Sequence, residues 1–264
     1  MFVRRTRAGL GLWQVERWTS WDVLHAFSDR YGGVSRPPFA SLNVGLHVGD
    51  DAAAVQENRR RLCRALGIDQ EALVAARQVH GATVAVVDGD DRGRGAFALS
   101  DAVPGADALV TDAPGVVLLA LFADCVPVFL FDPVRRTVGL AHAGWKGTAG
   151  GIARRAVQTL HDAFGSSPSD CHAAVGPAIG PCCYEVGEDV AGVFGDAGAD
   201  IVTRHGPRFR LDLWEANRRQ LEAAGVPREN ITVARLCTRC MRDTFFSHRG
   251  DGGRTGRMAA VIGL

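Results

Sequence analysis

The run from Leu121 to Gly151, LFADCVPVFLFDPVRRTVGLAHAGWKGTAGG, decides the fold. Val116 to Ala123 is a continuous apolar run of strand length, and Val126–Phe131 and Thr137–Ala141 are two more. The Asp132–Thr137 segment between the last two, DPVRRT, is turn chemistry, so these strands form a hairpin. With little slip in the pairing, that hairpin lays His142 beside Cys125, next to Asp124. Beyond His142 a glycine-rich turn, Ala143–Gly151, precedes a segment of helical periodicity, Ile152–Phe164. Such a turn exposes unpaired amides that suit an anion.

Working outward, Val23–Ser28 reads as a strand and is followed by a polar loop holding Ser35 and Asn43. Asp50 or Asp51 caps a helix that Gly67 ends, with Asn58 and Arg59 on what reads as a solvated face. Gln78-Val79-His80-Gly81 precedes a strand at Thr83–Val87, and Asp88–Pro104 reads as an exposed loop. His172–Val175, Arg208–Leu213, Ile231–Leu236 and Arg257–Leu264 are further strands, with a helix at Leu213–Ala224. Strands outnumber helices and often follow one another directly. An α+β sandwich therefore fits better than a doubly wound parallel sheet.

Several function classes are disfavoured at once. A net charge of +1 gives no electrostatic case for nucleic acid or an anionic membrane surface. The N-terminal stretch lacks the apolar core of a signal peptide and no later run has membrane-spanning length, so the expectation is a soluble, cytoplasmic protein. Seven cysteines without a secretory signal imply reduced thiols rather than a disulfide framework. Dinucleotide, Walker-loop and nucleophile-elbow motifs are absent. Of the 30 basic side chains only Lys146 is a lysine, a compact point charge placed in the glycine turn beside His142.

His80, Cys125 and His142 match a catalytic zinc site, with three protein ligands and a fourth position open. Zinc would hold Cys125 as thiolate and lower the pKa of bound water towards about 7, giving a hydroxide of the kind that base deaminases use. The same atoms support a metal-free reading, in which Cys125 is the nucleophile, His142 its base and Asp124 or a nearby polar group the orienter. They also support a third, as buried structural residues. Blue copper shares the His/His/Cys set, but eight scattered histidines with no His-x-His pair disfavour a multicopper oxidase. Cys182-Cys183 and the Cys237-x-x-Cys240 pair read as packing or incidental thiols, because adjacent cysteines turn poorly to one ion and structural zinc wants four ligands.

QVHG at 78–81, ADALVTDAPG at 106–115, ADCVP at 123–127, AHAGWKGT at 141–148, GPAIGPCCYEVG at 176–187, Cys237-Thr238 and FFSHR at 245–249 together resemble the YfiH-like, or laccase-domain, purine nucleoside phosphorylase family. The likeness covers nearly the whole chain. It implies one domain over 1–264, a four-layer α/β/β/α sandwich with mixed sheets similar to the cytotoxic necrotising factor type, and zinc held by His80, Cys125 and His142. It further implies phosphorolysis of adenosine, inosine and methylthioadenosine to free base and ribose 1-phosphate, with some adenosine deamination. A copper polyphenol oxidase label and a role in editing peptidoglycan precursors attach to some relatives.

Phosphorolysis needs an anion site, for which the 144–150 turn, the helix N-terminus and Lys146 are candidates, with Arg59 or Arg249 as second cation and Ser35 and Asn43 lining the pocket. The competing classes are a cysteine hydrolase that survives chelation and a binding protein without turnover. Oligomeric state is not legible in the chain.

Overall fold

A computed structural model describes residues 1–195 and 200–264. Its elements in chain order begin β1 (Phe2–Arg7), β2 (Leu10–Val15), β3 (Leu24–Ser28), α1 (Ala52–Leu66), β4 (Leu73–Arg77), β5 (Val84–Val86), β6 (Val103–Pro104) and β7 (Ala108–Thr111). Then come β8 (Val117–Phe122), β9 (Val126–Asp132), β10 (Thr137–Ala143), α2 (Trp145–Ala149), α3 (Ile152–Phe164) and β11 (His172–Val175). The last are β12 (Glu185–Val186), α4 (Glu188–Val193), β13 (Val202–His205), β14 (Arg208–Leu211), α5 (Leu213–Ala223), β15 (Ile231–Val233) and β16 (Met258–Gly263).

The strands form a seven-stranded sheet, β1-β2-β3-β16-β8-β4-β6, a six-stranded sheet, β15-β11-β9-β10-β7-β5, and a small one, β12-β14-β13. Both large sheets are mixed: β4 runs parallel to β8, and β5 parallel to β7, while the β9–β10 hairpin is antiparallel with His142 opposite Pro127.

Side-chain alternation explains why the central strands are apolar on every residue. On β8, Leu118, Ala120 and Phe122 face Phe129, Phe131, Val138 and Leu140 of the other sheet. The alternate residues Val117, Leu119 and Leu121 pack outward against Leu62 and Leu66 of α1. On β9, Val128 and Leu130 turn outward to Val157 and Leu160 of α3 and Leu221 of α5. A strand covered on both faces cannot show polar alternation. The result is the expected α/β/β/α order of four layers. Full burial of each such valine, leucine or phenylalanine stabilises the fold by about 1.5–3 kcal/mol.

The chain departs from expectation in three places. An N-terminal hairpin, β1–β2, turns at Ala8 and Gly9, both with positive φ. That backbone suits a two-residue hairpin turn, but Ala-Gly is not the usual sequence signal. The glycine turn after His142 opens not one helix but two: α2 is five residues long, and Gly151 at φ 76° breaks it from α3. The 88–104 segment is not simply an exposed loop, because Ala96 and Val103 are buried. Arg59 of α1 accounts for this. Its guanidinium is buried and donates to the carbonyls of Val44, Gly95 and Ala96, so the face read as solvated is instead a core clamp.

His142 shares its face of β10 with Val138 and Leu140, the face turned towards the other sheet. It lies at the end of that strand, its ring 5.4 Å from that of Phe122. The rim of the inter-sheet core is therefore where the candidate chemistry gathers.

Candidate active site

Three segments carry the donors. His80 projects from the turn after β4, Cys125 from the turn between β8 and β9, and His142 from β10. Their ligand atoms all lie within 4.8 Å of one another. The two imidazoles meet edge to face, ring centres 4.8 Å apart. Two of these turns hold non-glycine residues in the left-handed region, His80 at φ 60° and Asp124 at φ 86°. Such conformations cost about 1–3 kcal/mol each and persist only where the surroundings impose them.

The surroundings do so through two side chains. Gln78 donates to Leu121 O and accepts from Leu121 N, tying the first turn to β8. Asp107 accepts the amides of Val79, His80 and Gly81 at 3.2, 3.0 and 2.6 Å. The same carboxylate bonds His142 Nδ1 at 2.9 Å, which leaves Nε2 for Cys125. Asp107 stood in the ADALVTDAPG motif, but nothing in its spacing tied it to His142. The orienting carboxylate is thus Asp107, not Asp124. Asp124 lines the cleft but spends its oxygens on Thr238 Oγ1 at 2.6 Å and the Arg249 amide at 2.7 Å.

Electrostatics polarise the cluster. Burial pushes the Cys125 thiol up, but the adjacent His142 and His80 more than offset this and hold it below its ordinary value. Burial pushes His142 down, yet Cys125 and Asp107 raise it overall. Asp107 is raised by burial and lowered further by its bonds from His142 and the amides, so it stays ionised. Gly144 completes the packing: a Cβ there would stand 3.1 Å from Cys125 Sγ and 3.4 Å from His80 Cδ2.

The cluster floors a cleft of about 510 Å³. Arg77, Arg249 and Arg257 give it positive charge, and Trp145, Tyr184 and Leu121 give it apolar wall. His47 also faces it, pushed down to about 4 by burial and by Arg257 and Arg59. Arg249 lies over the Tyr184 ring and donates to Glu185 O.

Of the residues picked from sequence, the structure brings His80, Cys125, His142, Asp124 and Arg249 into this cleft. Lys146 lies beside it, in a recess with Val79, His80 and Trp145. Arg59, Ser35 and Asn43 are not among its lining residues; Arg59 is buried on α1, and Ser35 and Asn43 in the loop before it. There Asn58 donates to Ser35 Oγ, and Asn43 accepts the amide of Arg257. The α3 N-terminus does not line the cleft either. Arg77, His47 and Arg257 carried no motif signal, and Tyr184 stood in GPAIGPCCYEVG without a role, since their convergence depends on long-range pairing.

Residues 24–264 match the family described as multi-copper polyphenol oxidoreductase laccase. The chain is 49% identical over 243 residues to the purine nucleoside phosphorylase YlmD of Geobacillus stearothermophilus, covering 89% of this chain and 87% of that one. It is 40% identical over 240 residues to an adenosine deaminase from an unknown prokaryotic organism, covering 89% and 91%. The crystal structure of YlmD from Geobacillus stearothermophilus superposes with a TM-score of 0.94 at 45% identity, over 99% of this chain and 98% of that one. The chain therefore belongs to the laccase-domain family of YfiH and YlmD.

Proposed function

We propose that this protein is a zinc-dependent purine nucleoside phosphorylase, converting adenosine, inosine and methylthioadenosine with phosphate to free base and ribose 1-phosphate, with adenosine deamination as a side activity. The observation that carries the reading is the His80–Cys125–His142 convergence on the floor of a cleft walled by three arginines. The names of the relatives support it.

The donor set fits zinc. Tetrahedral zinc with nitrogen ligands at about 2.0–2.1 Å and sulfur at about 2.3 Å needs donors roughly 3.3–3.6 Å apart, and the three here all lie within 4.8 Å of one another. The Asp107 bond to His142 Nδ1 is the usual outer support of a metal-binding imidazole. When bound, zinc would supply Lewis-acid polarisation and, through its open position, an activated water for deamination. Multicopper chemistry fits poorly, because of the histidines among the described residues only His80 and His142 stand in a group able to hold a metal.

Arg249, Arg257 and Arg77 supply charge for phosphate, with Lys146 at the margin. Held there, a phosphate oxygen forms its bond to ribose C1′ as the purine departs with the electron pair of the glycosidic bond. Tyr184 and Trp145 offer flat apolar surface for the base, and neutral His47 a hydrogen-bonding group without charge. The seven free thiols suit a reducing, cytoplasmic setting. Among the described residues no helix is long and apolar enough to cross a membrane.

Purified protein incubated with inosine should release hypoxanthine only when phosphate is present. Release at equal rate without phosphate would instead indicate a hydrolase.

A further inference from the structure

A second group of thiols lies outside the catalytic cluster. Cys182 and Cys183 stand on the turn closed by bonds from Cys183 N and Tyr184 N to Gly180 O. Cys237 and Cys240 stand on the next, closed by Met241 N to Cys237 O. The sequence alone favours packing or incidental thiols here, because adjacent cysteines turn poorly to one ion and a single Cys-x-x-Cys lacks four ligands. The fold supplies what the adjacent pair and the Cys-x-x-Cys pair each lack alone: Cys182 Sγ and Cys183 Sγ approach Cys240 Sγ at 3.6 and 3.4 Å, and all four sulfurs lie within 4.8 Å of one another.

We propose that Cys182, Cys183, Cys237 and Cys240 form a structural site for a single tetrahedral zinc-class cation. In a mononuclear tetrahedral site with bonds of about 2.3 Å, sulfurs stand roughly 3.8 Å apart, and four thiolates with no open position are the donor set of structural rather than catalytic zinc. The local backbone is arranged for it. Gly180 N donates to Cys237 Sγ at 3.3 Å, and the Cys240 amide bonds the same sulfur, so an anionic thiolate there is met by N–H groups. All four cysteines are free of disulfides, and Cys182 and Cys240 are exposed enough for a cation to reach them.

The ion would join two segments that are otherwise linked by few bonds. Ala178 pairs with Cys237 in an isolated bridge, and Thr238 N donates to Ala178 O. Thr238, next to Cys237, holds Asp124, and Ile179 N bonds Asp124 O. Tyr184, next to Cys183, lies under Arg249 on the cleft wall. The cation therefore acts as a clamp on the wall that carries Asp124, Tyr184 and Arg249, and none of its ligands touches the reacting groups.

Zinc content per chain, measured on reduced protein, tests this in three forms: wild type, Cys125→Ser and Cys240→Ser. The site predicts about two zinc ions in wild type and loss of about one in Cys240→Ser, while Cys125→Ser keeps the ion that Cys240→Ser loses. About one zinc in wild type, lost in Cys240→Ser and kept in Cys125→Ser, would uphold this clamp while contradicting the catalytic zinc above. Should Cys240→Ser fail to fold, thiol labelling of native wild type decides: bound thiols resist a disulfide reagent until the protein is treated with a strong chelator. Zinc that follows Cys125 alone, iron in place of zinc, or Cys182 and Cys240 reacting freely in the untreated protein would each overturn the proposal.

Discussion

Asp107 accepts His142 Nδ1 at 2.9 Å while its two oxygens also take the amides of Val79, His80 and Gly81. One buried carboxylate thereby fixes the tautomer of one imidazole and the backbone that aims the other. Asp107→Asn keeps the size but removes the charge and half the acceptors. Phosphorolysis should fall about 10–100-fold, together with metal affinity, while the far-ultraviolet dichroism stays that of wild type. Steady-state kinetics beside metal analysis reads both, and unchanged values would remove Asp107 from this role.

The arginines divide by position. Arg249→Ala should raise the KM for phosphate about tenfold or more, with a smaller change in the KM for inosine, because a charge-assisted contact worth about 1.5–3 kcal/mol is lost. Lys146→Ala, beside the cleft rather than in it, should raise the phosphate KM less. Initial rates at varied phosphate measure both.

Arg59 has a different task. Its donors satisfy the carbonyls of Val44, Gly95 and Ala96 inside the protein. Arg59→Ala removes the partner of the Val44 and Gly95 carbonyls, while Ala96 O keeps the Gln70 side-chain amide, and should cost about 3 kcal/mol of stability. Urea denaturation gives the figure, and any loss of activity should follow loss of fold.

Gly144→Ala probes the close approach of backbone to the cluster. A methyl group 3.1 Å from Cys125 Sγ forces the thiol or the His80 ring to shift. Activity should drop about tenfold with little change in Tm, as read by paired kinetic and thermal-melt measurements.

Stability should fall in mild acid through His25. This buried ring accepts the Val15 amide at Nε2 and faces the Val23 carbonyl with Nδ1, and burial pushes its pKa below the ordinary 6.5. The unfolded chain takes up the proton near 6.5 while the folded one does not. Stability is therefore whole above that pH and declines as pH drops beneath it. Thermal melts across this range should slope less steeply in His25→Gln than in wild type.

Much of this architecture was legible. The doubly covered strands β8, β9 and β10 announce themselves as unbroken apolar runs, and their turn chemistry sets the register that joins Cys125 to His142. Local signals also placed Gly67 at the end of α1 and narrowed its cap to Asp50 or Asp51, of which Asp51 caps it. What stayed hidden depends on distant pairing. Arg59 looks solvent-facing until Gly95 and Ala96 fold over it, and Cys182 and Cys183 meet Cys240 across 58 and 57 residues of chain. Lys146 drew notice by being the single lysine, yet rarity carries no geometry, and the cleft takes its charge from arginines instead.

His80, Cys125 and His142 are proposed as the centre of a phosphorolytic site. The most direct test is the sugar product formed from inosine and phosphate by wild type and by Cys125→Ala. Wild type should form ribose 1-phosphate in step with hypoxanthine, and a folded Cys125→Ala neither. Undiminished ribose 1-phosphate from Cys125→Ala, or free ribose as the sugar product of wild type, would contradict that proposal.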